Sequence, residues 1–285
     1  MVEGTPQRPA VRDVAPVVVC DGLVRVYRSG TGEVQALRGI DASFHAGTVT
    51  AVAGPSGSGK SSLLRMVAAR ERPSAGRLEL LGQDVSLLRA RALRDLRRRT
   101  VSFVEQRSSR GLFPHLTAID QVRQVAVLRG MRDVDAREVL AGVGLVDRAT
   151  HLPRTLSGGQ QQRLAVALAL LGPPTVVVAD EPTAELDHAN ADVVLAALRR
   201  AASAGSTVVL SSHDEHALAG ADRVLRLRHG VVSSEQVPHG EALAMLDSTG
   251  RVQLTGPALS LFTQGRARVT VEAGRVVLSP PEVGS

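Results

Sequence analysis

The chain has 285 residues, 44% hydrophobic and 22% charged, enough for one large domain with a sizeable core and a small appendage. Its net charge of +6 and pI near 10.9 come from basic residues spread along the whole length, which argues against a dedicated nucleic-acid arm. No stretch approaches the roughly 18 consecutive apolar residues of a membrane span. No basic-then-apolar leader opens the chain, and a single cysteine, Cys20, excludes an internal disulfide, so a reducing cytoplasm is expected.

In chain order, residues 1–15 carry prolines and little apolar pattern and are expected to form a loose tail. Strand-like runs follow at Val17–Cys20, Leu23–Tyr27 and Thr48–Ala53, with Cys20 as a small residue of the core edge. The third run enters a glycine-rich loop and then an apolar-striped helix with Leu63, Leu64, Val67 and Ala68. Arg89, Arg91, Arg94, Arg97, Arg98 and Arg99 read as a solvated helix face. Val101–Val104, Thr175–Ala179 and Thr207–Leu210 are short, β-branched and without polar alternation, as in a parallel sheet covered on both faces. Helices are expected over about 117–130, 134–142, 160–171 and 189–203, and alternation of strands with helices points to an α/β fold. The apolar run Leu164–Leu171 belongs to one buried helix. Beyond Gln236 the pattern breaks at Pro238 and Gly240. A short helix, Glu241–Leu246, and a hairpin of Arg268–Glu272 with Arg275–Leu278 then form a separate module of 238–285.

Gly54, Pro55, Ser56, Gly57, Ser58, Gly59, Lys60 and Ser61 match G-x-x-x-x-G-K-[ST] between a strand and a helix. Glycines let successive N–H groups face a phosphate chain, and the helix start adds its dipole. Lys60 is the only lysine among 34 basic residues. A compact ammonium suits β- and γ-phosphates where a forked guanidinium fits badly, which explains its survival. Ser61 offers a hydroxyl to Mg²⁺. A buried strand, Val176–Ala179, then ends in Asp180 and Glu181 at the sheet edge where ligands collect. Asp180 is placed to hold the metal through water, and Glu181 to act as general base.

Leu156, Ser157, Gly158, Gly159 and Gln160, running on to Arg163, form a second small-residue helix start. This octapeptide closely resembles the signature of ABC ATPases, and the resemblance covers residues 16–237. It implies a P-loop NTPase core of mostly parallel, RecA-like sheet with an antiparallel β subdomain and a helical signature subdomain, followed here by a small β-rich extension. It implies ATP held by residues 54–62, Ser62 included, with Tyr27 stacking on adenine. Gln106 matches the Q-loop glutamine that contacts metal and water, Asp187 the D-loop aspartate and His213 the switch histidine of the γ-phosphate. The D-loop reads AELD where SALD is commoner, with Glu185 as the departure.

In the family the signature closes on ATP bound by the opposite subunit. The resemblance thus implies a homodimer, or a heterodimer with a related subunit, and an integral membrane permease in a separate chain. The location expected is the inner face of the plasma membrane. Residues 33–40 and 112–119 resemble the lipoprotein-releasing, macrolide-exporting and cell-division ATPases. Importer ATPases of another subfamily are the alternative. Nucleic-acid or ribosome-acting relatives fit less well, because the chain has one cassette and no heptad insertion. The tail beyond Asp247 faintly resembles swapped-hairpin regulators of transcription, but residues 238–285 carry no net charge, a poor match to phosphate backbones. A catalytically dead module conflicts with intact Lys60, Asp180, Glu181 and His213.

Overall fold

The computed structural model describes residues 15–30, 32–236, 243–244, 262, 267–272 and 275–279. Two antiparallel strands open it, β1 (Val18–Ser29) and β2 (Gly32–Phe44), followed by β3 (Val49–Ala53) and α1 (Lys60–Val67). Next come β4 (Ala75–Leu80), β5 (Gln83–Asp84), α2 (Ala90–Thr100) and β6 (Val101–Val104). A helical stretch follows, α3 (Ala118–Leu128), α4 (Ala136–Ala141) and α5 (Gly158–Leu170). The chain then alternates through β7 (Val176–Asp180), α6 (His188–Ser203), β8 (Thr207–Ser211), α7 (Glu215–Ala219), β9 (Arg223–Arg228) and β10 (Val231–Gln236). Short strands β11 (Leu243–Ala244), β12 (Arg268–Glu272) and β13 (Arg275–Ser279) complete the described chain.

The main sheet has the order β11-β10-β9-β3-β8-β7-β6, and its five strands from β9 to β6 run parallel. Every residue of β3, β7 and β8 is buried, as their unbroken apolar character predicts. Side chains alternate between two cores. Val176, Val178 and Val209 pack with Leu63, Leu64, Met66 and Val67 of α1 on one face. Val177, Ala179, Val208 and Leu210 pack with Val194 and Leu198 of α6 on the other. Each fully buried Leu or Val contributes about 1.5–3 kcal/mol to this packing. A third core, including Leu140, Leu164 and Leu168, unites α3, α4 and α5.

A second sheet, β2-β1-β4-β5, is antiparallel throughout. The two strands expected at Val17–Cys20 and Leu23–Tyr27 are one, β1, with a bulge between Cys20 and Leu23. Gly22, at φ 55°, makes the bulge without a Cβ clash, and its N–H donates to Asp41 Oδ1 at 2.6 Å. Cys20 lies 3% exposed in the core, where burial first, then the Asp41 carboxylate, push its thiol up to about 12. Helix α2 buries no residue, in keeping with a solvated arginine face. The short helix expected at Glu241–Leu246 is contradicted at its centre: Leu243 and Ala244 pair with Glu235 and Ser234 as strand β11. There the exposed edge of β10 supplies backbone partners that two residues of helix would lack. The rest of that segment, the tail 1–14 and the proposed boundary at 238 lie outside the described residues. The hairpin stands as expected, β12 pairing with β13.

Candidate functional site

Strand β3 delivers its chain into the loop 54–59 at the carboxyl edge of the sheet. Gly54, Gly57 and Gly59 take φ values of 150°, 77° and 105°. A Cβ at Gly54 would meet Leu227 O at 2.3 Å, and one at Gly59 would meet Ala36 O at 2.6 Å, so sterics demand glycine at both. Pro55, Ser56 and Gly57 form the exposed crest, while Ser58 is buried beneath it with its Oγ lacking a hydrogen-bond partner. Helix α1 begins at once with Lys60, Ser61 and Ser62, with no side-chain cap and no acid in its first turn. Its unpaired N–H groups and positive dipole end therefore face the loop.

The Lys60 ammonium donates to Gly54 O at 2.8 Å and Pro55 O at 3.3 Å, and lies 4.0 Å from Glu181 Oε1. On its other oxygen Glu181 meets His213 Nδ1 at 3.0 Å. Lys60, Glu181 and His213, far apart in sequence, thus form one row. Glu181 is 9% exposed and holds φ 48°, a left-handed conformation that costs a non-glycine residue about 1–3 kcal/mol. Ser211 holds it there, accepting the Glu181 N–H at 2.9 Å and donating to Asp180 Oδ1 at 2.6 Å. Sequence reasoning missed Ser211, because its contact with the acidic pair comes only from β7 and β8 lying side by side.

Ser61, Gln106 and Asp180 line one cavity of about 660 Å³. A hydroxyl, an amide oxygen and a carboxylate are the hard oxygen donors a Mg²⁺ ion takes, and Mg²⁺ needs few of them. Among the described residues no cluster of three His, Cys, Asp or Glu offers a competing site. Glycines that exclude any Cβ, an orphaned Ser58 hydroxyl and an uncapped helix start likewise fit a phosphate chain. Tyr27 projects from β1 over the start of α1: its hydroxyl donates to Glu71 Oε2 at 2.7 Å and stands 3.2 Å from Ser62 Oγ.

The signature residues lie apart. Ser157 caps α5, its Oγ accepting Gln160 N–H at 3.3 Å while Gln160 Oε1 accepts Ser157 N–H at 3.0 Å. A Cβ on Gly158 would come within 3.2 Å of Glu185 Oε2, and one on Gly159 within 3.0 Å of Leu186, so the 184–187 loop packs on this helix start. Asp187 caps α6 by accepting Asn190 N–H at 2.8 Å. That bond, then the Asn190 side-chain amide, holds the Asp187 carboxyl below its ordinary range. No hydrogen bond or ion pair among the described residues ties 157–160 to the loop 54–62.

A family model described as ABC transporter matches residues 37–184, from within β2 to just past the acidic pair. The chain belongs to that family. Chains named macrolide export ATP-binding/permease protein MacB are similar to it: 38% identical over 233 residues in Nitrobacter winogradskyi and 40% over 226 residues in Paracoccus denitrificans. These alignments take in 80% and 78% of this chain but only 36% and 34% of the relatives, so the chain spans about a third of their length. Among solved structures, the ATP-binding cassette MJ0796 in a dimeric post-hydrolysis state bound to ADP and Pi superposes with a TM-score of 0.72 and 29% identity. That match covers 79% of this chain and all of the cassette. The fold is therefore that of an ABC ATPase cassette. No helix among the described residues is long and apolar enough to cross a membrane.

Proposed function

We propose that this ABC ATPase hydrolyses ATP as a sandwich dimer and drives a membrane permease carried by a separate polypeptide. The observation that carries the reading is the presence of two anion-ready helix starts, α1 and α5, that do not meet within one chain. In a head-to-tail pair, the α5 start of one copy closes on the triphosphate held by the loop of the other. Relatives named for both ATP binding and permease function support a membrane partner, and the dimeric cassette supports the pairing. Residues 16–237 form the cassette, and 238–285 a module of their own. The working location is the inner membrane face, and the subfamily is that of the macrolide exporters.

Within this reading residues 54–62 bind the triphosphate, with Gly54, Gly57 and Gly59 shaping the loop and its N–H groups facing phosphate oxygens. Lys60 exchanges its two carbonyl acceptors for phosphate oxygens, a stronger pairing because the partner is charged. Ser61, Asp180 and Gln106 hold Mg²⁺, which when bound neutralises charge on the phosphates. Glu181 accepts the proton of the attacking water, and His213 shifts from Glu181 to the γ-phosphate. Ser157, Gly158, Gly159 and Gln160 complete the site from the partner copy, with Asp187 fixing the adjoining loop.

Glu181→Gln keeps shape and metal site while removing the base, so turnover falls about 10²–10⁴-fold and ATP stays bound. Sedimentation with ATP then shows a stable dimer, because a ligand specific for the closed state draws the equilibrium to it. Adding Ser157→Arg disperses that dimer. Hydrolysis at the wild-type rate overturns Glu181 as base, and a monomer at saturating ATP overturns the sandwich.

A further inference from the structure

We infer that Arg25 and Glu71 are positioning residues that lock Tyr27 as a one-sided platform for the nucleotide base. The inference rests on the reading of 54–62 as a triphosphate cradle and extends it to the base end of the site.

Tyr27 is the only tyrosine, in a chain with no tryptophan. Its ring is gripped at two points. The Arg25 guanidinium carbon stands 4.6 Å from the ring centroid, within cation–π range, and so covers one face. Glu71 accepts the phenolic hydrogen at 2.7 Å on Oε2, the same oxygen that pairs with Arg25 Nη2 at 3.0 Å. Arg25 is itself anchored, donating to Arg72 O at 3.0 Å, and its Nε is buried with no acceptor. A guanidinium that leaves one N–H unpaired to lie on a ring is held there by the ring as well as by the carboxylate. Arg65, on α1, approaches the second Glu71 oxygen at 3.6 Å. Glu71 therefore faces two guanidinium groups, which offset a charge that would otherwise repel phosphates near Ser62.

Tyr27 is half-buried, and on this reading a planar base stacks on its face away from Arg25. A purine stacks better on a ring already fixed, since less freedom is lost on binding. A cation behind the ring also draws π-density away from the open face, which favours an electron-rich base. Neither effect acts on the phosphates. Loss of Arg25 should therefore weaken base binding and leave chemistry alone.

The test uses the full chain, ATP, and tripolyphosphate, which has the phosphates without the base. Tyr27 is the sole tyrosine, so its emission reports on stacking directly. ATP should change that emission, while tripolyphosphate binds without changing it. Arg25→Met should raise KM for ATP about three- to fivefold, leave kcat unchanged and leave tripolyphosphate affinity unchanged. Arg25→Lys, which keeps the cation, should restore KM. In a Tyr27→Leu background Arg25→Met should have no further effect. If Arg25→Met weakens ATP and tripolyphosphate equally, or raises KM by the same factor without the tyrosine, the pair only braces the fold and the inference falls. If tripolyphosphate fails to bind the wild type, the cradle reading falls first and this one with it.

Discussion

Lys60 shows how much one residue can carry. Its ammonium sits among Gly54 O, Pro55 O and Glu181, only 12% exposed. A guanidinium is longer, planar and unable to point three donors at one oxygen cluster. Lys60→Arg should therefore cut ATP turnover at least about 10²-fold, the usual loss when one preorganised donor to a developing charge is removed. Turnover of the purified variant at saturating ATP checks this, and a wild-type rate would show that charge alone suffices. Lys60 was legible from the sequence because its neighbours occupy a fixed spacing. Ser211 was not, because its role depends on β7 and β8 lying side by side, which sets its hydroxyl against Asp180 and Glu181. Glu71 escaped notice for the same reason, its partners Arg25 and Tyr27 lying on another element.

At the scale of elements, the buried strands announced themselves, and the half-exposed ones did not. Val101–Val104 is as expected, and β3, β7 and β8 agree within a residue at each end, since continuous β-branched runs leave little choice. Strand β2 buries only three of its thirteen residues, without strict alternation, so no period-two signal marked it. The contact between α6 and α7 also depends on tertiary placement: His216 Nε2 lies 2.6 Å from Asp192 Oδ1. That bond, then the charge of Asp192, raises the His216 pKa. A raised folded-state pKa means the stabilisation is fully present below the unfolded value of about 6.5 and is lost as pH rises through the folded value. Both groups are solvent-exposed, so the effect is local. Asp192→Asn should move the His216 titration midpoint down toward that of an ordinary histidine, read by NMR. An unchanged midpoint would show that the pair does not form in solution.

At the scale of the molecule, the row of Lys60, Glu181 and His213, the Ser61–Gln106–Asp180 cavity and helix α5 all lie before Gln236. The family match also ends well short of it. Truncation after Gln236 removes β11, a two-residue edge strand, and the hairpin β12–β13. The truncated chain should keep ATPase activity within about twofold, since an edge pair of this size contributes on the order of 1 kcal/mol. Loss of ATP binding in a soluble, folded truncation would make the tail part of the site. A change in association with retained hydrolysis would assign it to assembly.

The amino-acid sequence by itself marked out the glycine loop, the acidic pair and the two helix starts, because those depend on residues adjacent in the chain. It also determined the α/β class, since unbroken apolar strands between amphipathic helices can be buried only in a covered parallel sheet. The tertiary structure decided which of these pieces meet. Lys60, Glu181 and His213 join in a row, Ser211 holds the acidic pair, Arg25 and Glu71 grip Tyr27, and the signature stands apart from the loop. Contacts between strands distant in sequence are set by sheet order and register, which no local pattern of residues encodes.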